Sequence, residues 1–194
     1  CNSDKQSKHA SIGRPIPNVE AKLINCDENG IGELCVKGPM VMLGYYKNEE
    51  ATKAVFDYDG WFHTGDLATV DKDGFYYIQG RSKNVIVTRN GKNIYPEELE
   101  ALLLKEKVVK ECMVVGSEGD KEDTVVKARI FPDVSAISAE TGNINVTPEE
   151  IKKAVSKAVR NVNSQVVAYK AIKETEIVEK EFAKTTTAKI KRNQ

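Results

Sequence analysis

The spacing of apolar residues changes near Gly80, and this change constrains the fold more than any other feature of the chain. Before it, short runs in which apolar and polar residues alternate, such as residues 19–23, are separated by turn signals such as D-E-N-G at 27–30. Alternation of this kind is typical of half-buried strands. Short strands at intervals of about ten residues are typical of small barrels and sandwiches. We therefore predict a small, β-barrel-like subdomain over residues 1–80.

After Gly80, some segments have apolar residues at helical spacing and others keep the alternation of strands. Pro96 is followed by two glutamates, an arrangement that favours a helix start. The T-P-E-E run at 147–150 is a capping box, and it opens an amphipathic helix of about four turns. Residues 125–131 and 176–182 are predicted to be strands. The fold class is thus α+β, with a domain boundary at residues 80–84 and a mixed sheet with flanking helices over residues 85–194.

Composition excludes several classes of protein. The chain of 194 residues has 29 basic and 29 acidic side chains, so bulk charge does not attract it to nucleic acid or to an anionic membrane. No apolar run approaches the ~20 residues of a membrane helix, and residues 1–10 lack the apolar core of a secretory signal. We predict a cytoplasmic protein without a transmembrane segment, for which peripheral membrane contact remains open.

The four cysteines are scattered, and none forms a C-x-x-C pair. Reduced, buried thiols in a cytosolic protein are therefore the interpretation preferred over a disulfide or a metal site. No metal ligands are assigned. His63 has no acidic partner or nucleophile at a diagnostic spacing, so either a packed histidine or a general base is compatible with the sequence.

Three clusters could carry chemistry. Asp66 follows a glycine at a strand edge, where its carboxylate could accept two hydrogen bonds from a vicinal diol such as a ribose, or could form a simple turn. Arg81 and Lys83 lie at the domain boundary and could hold a phosphate or merely solubilise a linker, and Gly91 is predicted to occupy a turn that needs a positive φ. The hydroxyl and ammonium groups of residues 184–192 suit anion binding, although a frayed basic terminus would look the same.

Six short sequence blocks are more informative together than singly. In chain order they are G-E-L-x-V-K-G-P from residue 32, L-G-Y-Y from 43, G-W-F-H-T-G-D-L from 60, D-G-F-Y-Y-I-x-G-R-S-K-N from 73, G-K-N-I-Y-P-E-E-L-E from 91 and K-T-T-T-A-K-I-K-R from 184. This ordered set resembles the adenylate-forming (AMP-binding) superfamily, which includes acyl-CoA synthetases, peptide-synthetase adenylation domains and luciferases. The wording of the last two blocks is most similar to bacterial long-chain fatty acid–CoA ligases. The sequence departs from many members in having Ala188 in place of Gly and Asn84 in place of Asp.

The resemblance implies that this chain is the C-terminal part of a larger enzyme. The family's phosphate loop, adenine pocket and magnesium-binding glutamate all lie upstream of the first matching block. The implied substrates are a fatty acid, ATP and CoA, with Mg²⁺ held by the upstream part, which is also the implied partner. The implied reaction forms an acyl-adenylate and then a thioester, releasing AMP and pyrophosphate. A fatty acyl-AMP ligase or a peptide-synthetase adenylation domain is the alternative.

The same resemblance assigns roles to five residues. Lys189 matches the family's catalytic lysine, Asp66 the residue that holds the ribose hydroxyls, and Arg81 a residue that contacts ribose or phosphate. Lys83 matches the hinge, so residues 81–84 are expected to join residues 1–80 to a mobile C-terminal domain. Gly91 lies on the face that is brought to the pantetheine tunnel.

Overall fold

The computed structural model describes residues 2, 7–118, 124–187 and 189–192. Ala188, one of the two departures from the family, therefore lies outside the described residues. The chain divides into two compact units, Cys1–Lys83 and Asn84–Gln194. No helix in the described part of the chain is both long and apolar enough to cross a membrane.

The first unit is built on one four-stranded antiparallel sheet with a short helix. Its elements in chain order are β1 (Glu20–Ile24), β2 (Gly32–Lys37), α1 (Glu49–Val55), β3 (Phe62–Val70) and β4 (Tyr76–Arg81). The strands lie in the sheet in this same order, each paired with the next along the chain. The connections β1–β2 and β3–β4 are short turns, whereas residues 38–61, which include α1, join β2 to β3.

One turn motif is used three times in this unit. An aspartate is followed two residues later by Asn or Asp and then by Gly, at residues 27–30, 57–60 and 71–74. In the third copy the Asp71 carboxylate accepts hydrogen bonds from the backbone N–H of Asp73 and of Phe75, at 2.9 and 3.0 Å. Gly74 closes the turn with a φ of +81°, a conformation that costs glycine little. The hairpin β3–β4 thus follows directly from the local sequence.

Within its described residues, the second unit contains the remaining strands and three α-helices. These are β5 (Ile86–Val87), β6 (Asn93–Ile94), α2 (Pro96–Leu103), β7 (Val109–Glu118), β8 (Thr124–Pro132), α3 (Val134–Thr141), α4 (Pro148–Asn163) and β9 (Ile172–Ile177). Strands β5 and β6 form a small hairpin. Strands β7, β8 and β9 form a mixed sheet, in which β7 pairs with β8 antiparallel and β8 pairs with β9 parallel.

The core of the second unit lies between this sheet and its helices. Along β8, Val126, Ala128 and Ile130 are buried and their neighbours are not, as the alternation predicts. From α4 come Val155, Ala158, Val159 and Val162, which share one helical face. Burial of aliphatic side chains at about 25 cal/mol per Å² is the main force that holds these elements together.

The predicted fold class is confirmed, with three local corrections. The sheet of the first unit is open in the described residues and does not close into a barrel. The last strand begins earlier and ends at Ile177, because pairing of this edge strand with β8 sets its limits and its own apolar pattern is weak. Helix α3 was not predicted, although Asp133 caps its first turn and Gly142 ends it with a φ of +71°.

The capping box of α4 yields a test of local stability. The backbone N–H of Glu150 donates to the Thr147 hydroxyl at 3.3 Å, and the Glu150 carboxylate accepts from the Thr147 N–H at 2.8 Å. We expect Thr147→Ala to lower the free energy of unfolding by about 1 kcal/mol. Thr147→Ser keeps the acceptor and should cost far less. Urea unfolding followed by the helical circular dichroism signal measures both, and equal stabilities of the two variants would contradict the capping role.

Candidate functional site

Asp66 is presented by a bulge in β3. Between the pairs Glu33↔Leu67 and Cys35↔His63, strand β2 contributes one residue while β3 contributes three, residues 64–66. Gly65 lies at the centre of this bulge with a φ of +68°, which disfavours any residue with a side chain. The bulge changes the direction of the side chain that follows Gly65, which is that of Asp66.

Two side chains satisfy the polar groups of the bulge. The Thr64 hydroxyl donates to the carbonyl oxygen of Leu34 at 2.7 Å and accepts from the Asp66 N–H at 3.0 Å. From β2, the Glu33 carboxylate accepts a hydrogen bond from the Gly65 N–H at 3.1 Å. These contacts compensate for the sheet hydrogen bonds that the bulge interrupts, so the position of Asp66 is well defined.

Arg81 is paired with Asp66 across the β3–β4 ladder. The two residues are direct register partners, and Arg81 Nε lies 2.8 Å from Asp66 Oδ1. A second guanidinium nitrogen donates to the Thr64 carbonyl oxygen at 3.1 Å. The Asp66 side chain keeps 30% and the Arg81 side chain 47% of its exposure, so both groups remain accessible. Together they offer a carboxylate that can accept hydroxyl protons beside a cation that can meet a phosphate.

Lys83 lies at the last position of the first unit, in a 3₁₀ turn that spans Ser82–Asn84. The side chain is exposed. Asn84, the first residue of the second unit, donates from its amide to a Glu97 carboxylate oxygen at 2.7 Å and is thereby tied to the start of α2. Asn84, which stands where many family members have Asp, therefore still makes a polar side-chain contact.

Gly91 lies at the exposed tip of the β5–β6 hairpin. Its N–H donates to the Thr88 carbonyl oxygen at 2.8 Å, and its φ is +72°, as the turn interpretation predicts. Beside the hairpin is a cleft of about 270 Å³. Its lining includes three cations, Arg89, Lys92 and Lys173. The Lys92 ammonium lies 4.9 Å from the centre of the Tyr169 ring, which also lines the cleft.

Lys189 is carried by a second hairpin, formed by the C-terminal tail. Lys184 pairs with Ile190 in a β-bridge, and backbone hydrogen bonds join Lys191 to Ala183 and Thr185 to Lys189, each at 2.8 Å. The Lys189 side chain is exposed, and its ammonium makes no hydrogen bond or ion pair with the residues described. Lys189 is therefore an unpaired cation on this hairpin, as is Lys191, which is also exposed and has no ion pair among the described residues.

Two carboxylates of the second unit anchor this tail. The Arg192 guanidinium donates to both oxygens of Glu100, at 2.8 and 2.6 Å, and to the Val114 carbonyl oxygen at 2.9 Å. Burial is the largest influence on Glu100 and raises its pKa, although Arg192 and the Val114 N–H act in the opposite direction. At the other side of the hairpin, Lys184 forms an ion pair with Glu111. The motif K-T-T-T-A-K-I-K-R therefore contains two anchoring cations, Lys184 and Arg192, and two exposed cations, Lys189 and Lys191.

The structure brings Asp66 and Arg81 together in the first unit and places Lys189 and Gly91 on two separate hairpins of the second. Sequence reasoning missed the anchors Glu100 and Arg192 and the supporting Glu33, because their contacts join residues that are far apart in the chain. The only signal available was their membership in the matching blocks. Among the described residues, one group has the donor types of a transition-metal site, and it consists of Glu33, Cys35 and His63.

Curated proteins with similar sequences are CoA ligases. A long-chain-fatty-acid–CoA ligase of Salmonella typhimurium is 44% identical over 122 residues, which is 60% of this chain and 21% of the relative. A Dictyostelium discoideum protein named "Probable 4-coumarate–CoA ligase 2" is 48% identical over 120 residues, 58% of this chain and 22% of the relative. The chain thus spans about a fifth of the length of these relatives.

Among solved structures, o-succinylbenzoate CoA synthetase from Bacillus subtilis, in complex with its acyl-adenylate intermediate, is 30% identical with a TM-score of 0.73. The match covers 95% of this chain and 35% of that one. The family model described as "AMP-binding enzyme" matches residues 1–46. The model described as "AMP-binding enzyme C-terminal domain" matches residues 83–194, more than half of the chain. The chain therefore belongs to the AMP-binding enzyme family, and residues 83–194 are its C-terminal domain.

Proposed function

We propose that this chain is the C-terminal part of an ATP-dependent long-chain fatty acid–CoA ligase. Such an enzyme joins a carboxylate to ATP with release of pyrophosphate, and the thiol of CoA then displaces AMP. The observation that carries the proposal is the tail hairpin, which holds the unpaired ammonium of Lys189 on an anchored and exposed loop. Adenylation gathers negative charge around the α-phosphate, and a preorganised cation stabilises it.

Asp66 and Arg81 are the proposed nucleotide contacts of the first unit. A partly exposed carboxylate suits the two ribose hydroxyls, and the adjacent guanidinium suits ribose or phosphate. The bulge supports this role, since it holds Asp66 in place before any ligand arrives. The Mg²⁺ that accompanies ATP would be held by residues upstream of this chain, in the N-terminal domain that we propose as its partner.

The Gly91 hairpin is the proposed contact for CoA. The cations Arg89, Lys92 and Lys173 around the neighbouring cleft are suited to the phosphates of that substrate, and the bare backbone of Gly91 permits close approach. Because Lys189 and Gly91 lie on different hairpins and serve different half-reactions, we propose that the C-terminal domain turns about Lys83 between them. A hinge of one or two residues can absorb the required change in φ and ψ.

A ligase for another acid is the second candidate. The 48% identity to a protein named as a 4-coumarate–CoA ligase favours it as strongly as the long-chain relatives favour a fatty acid. A fatty acyl-AMP ligase or a peptide-synthetase domain would also form the acyl-adenylate, but it would pass the acyl group to an acceptor other than CoA. Assay of the complete enzyme with fatty and aromatic acids, with and without CoA, separates these functions by their products.

The chain of 194 residues alone should have little or no ligase activity. Most of both substrate pockets is expected in the upstream domain, and a few retained residues cannot position two substrates. Incubation of the purified chain with fatty acid, ATP and CoA should give background thioester formation, while addition of the N-terminal domain, or the complete enzyme, should restore it. Rapid turnover by the chain alone would refute the proposal.

Replacement of Lys189 should slow the adenylation step. We expect Lys189→Gln in the complete enzyme to reduce adenylate formation by on the order of 10²–10³-fold, since it removes one preorganised charge. Pyrophosphate release measures this step, and thioester formation from a preformed adenylate measures the other, which should change far less. Lys191→Gln is the matched control on the same tail. Equal effects of the two substitutions would contradict the role of Lys189.

Restriction of Lys83 should affect the half-reactions unequally. Proline fixes φ near −65°, a value that suits the observed 3₁₀ turn, so Lys83→Pro should restrict the change in φ that the proposed turn of the domain needs. Separate rates of adenylation and thioester formation in the complete enzyme test this. Lys83→Ala keeps the torsional freedom and should leave both rates nearly unchanged. A uniform loss in Lys83→Pro would argue against a hinge.

Loss of the tail anchor should destabilise the second unit. Arg192→Ala leaves the Glu100 carboxylate partly buried without its guanidinium, at a cost that approaches the ~3–5 kcal/mol of broken buried pairs. The double variant Arg192→Ala/Glu100→Gln removes the stranded charge and should recover part of that loss. Urea unfolding of the 194-residue chain compares them. If Arg192→Ala had the same free energy of unfolding as the parent chain, the ion pair would not contribute to stability.

A further inference from the structure

A cysteine, a histidine and a glutamate converge on one face of the first sheet. Cys35 on β2 and His63 on β3 are direct register partners, so their side chains stand side by side. Glu33 precedes Cys35 by two residues, and the pleat therefore directs it to the same face. One donor atom from each of the three lies within 4.8 Å of the other two.

This spacing is close to that of a metal site. Zn²⁺ binds sulfur at about 2.3 Å and imidazole nitrogen or carboxylate oxygen at about 2.0–2.2 Å, so ligand atoms around it are roughly 3.5 Å apart. His63 Nδ1 already lies 3.2 Å from Glu33 Oε2. Small side-chain rotations would bring the third donor, Cys35 Sγ, to the same distance.

The surroundings of the cluster also resemble those of a metal site. His63 Nε2 faces Asp57 Oδ2 at 3.8 Å, and a carboxylate on the second ring nitrogen is the usual support of a metal-bound histidine. Cys35 is fully buried, whereas the side chains of His63 and Glu33 retain 30% and 22% exposure. The cluster is therefore open to solvent on one side, with the thiol at its closed end.

Hydrogen bonding without a metal explains only part of this arrangement. Glu33 uses Oε1 to hold the Gly65 N–H and directs Oε2 to His63, which accounts for two of the three residues. The Cys35 thiol has no hydrogen-bond partner in the described part of the chain. Burial, followed by the charge of Glu33, raises the pKa of this thiol, while Lys22, its register partner on β1, acts in the opposite direction.

We propose that Glu33, Cys35 and His63 bind Zn²⁺ or a similarly thiophilic divalent cation, with Asp57 supporting His63 and a water molecule in the fourth position. A set of one sulfur, one nitrogen and one oxygen ligand selects zinc over magnesium or calcium. Sequence spacing does not reveal the site, because its residues come from two strands and contain no C-x-x-C pair. Since Glu33 also holds the bulge before Asp66, the cation would stiffen the proposed nucleotide contact, and this consequence alone rests on the proposed function.

Cobalt titration of the 194-residue chain tests the site without any ligase assay. The reduced, chelator-treated chain should bind one equivalent of Co²⁺, with the charge-transfer absorption of a cobalt–thiolate bond, and an equivalent of Zn²⁺ should abolish that band. Because the cation binds the thiolate form of Cys35, binding should release the thiol proton. Absence of the thiolate band in the native chain would overturn the proposal.

Substitutions of the proposed ligands test whether the cobalt–thiolate absorption band arises from this site. Cys35→Ser should remove it, whereas Cys26→Ser, which changes an exposed cysteine of the same unit, should leave it intact. Because Cys35→Ser alters a buried position, His63→Gln provides a second test that keeps the thiol, and it should weaken binding at least tenfold. Asp57→Asn should weaken binding by about 10–100-fold. A band that survives Cys35→Ser, or an affinity unchanged in His63→Gln, would place the metal elsewhere and contradict the proposal.

Discussion

A carboxylate that is drawn partly out of water must be matched by donors, and in each unit one such group holds a loop that carries a proposed functional residue. In the first unit it is Glu33, which links β2 to the bulge before Asp66. In the second it is Glu100 on α2, which receives the guanidinium of Arg192 and the N–H of Val114. Removal of either donor set would leave an unsatisfied charge, so these loops have one favoured position.

The two loops present different charged groups to solvent. Asp66 and Arg81 form a pair that is already assembled within one ladder and remains partly open to solvent. The ammonium groups of Lys189 and Lys191 are exposed and unpaired among the described residues, while Lys184 and Arg192 are neutralised by carboxylates. This contrast assigns the anchoring to Lys184 and Arg192, and the family resemblance is the reason for giving the proposed chemistry to Lys189 and not to Lys191.

In the first unit, the bulge that carries Asp66 also borders the proposed metal site around Cys35. Glu33 contributes one oxygen to the Gly65 N–H and the other to the His63 side of the cluster. A single carboxylate therefore touches both the bulge and the proposed cation. The α+β class and the turn at Gly91 could be predicted from local patterns, whereas this bridging role could not, because it depends on strand register.

The sequence by itself determined the local elements: the Asp-x-Asn/Asp-Gly turns, the capped helix α4, the alternation in β8 and the ordered blocks that indicate the family. These depend on contacts between near neighbours, whose spacing is written in the chain. Tertiary structure decided that the sheet is open, that Cys35 meets His63, and that Arg192 meets Glu100. Such pairs arise only when distant segments pack together, and for Cys35 and His63 a shift of one residue in strand register would turn each side chain to the opposite face.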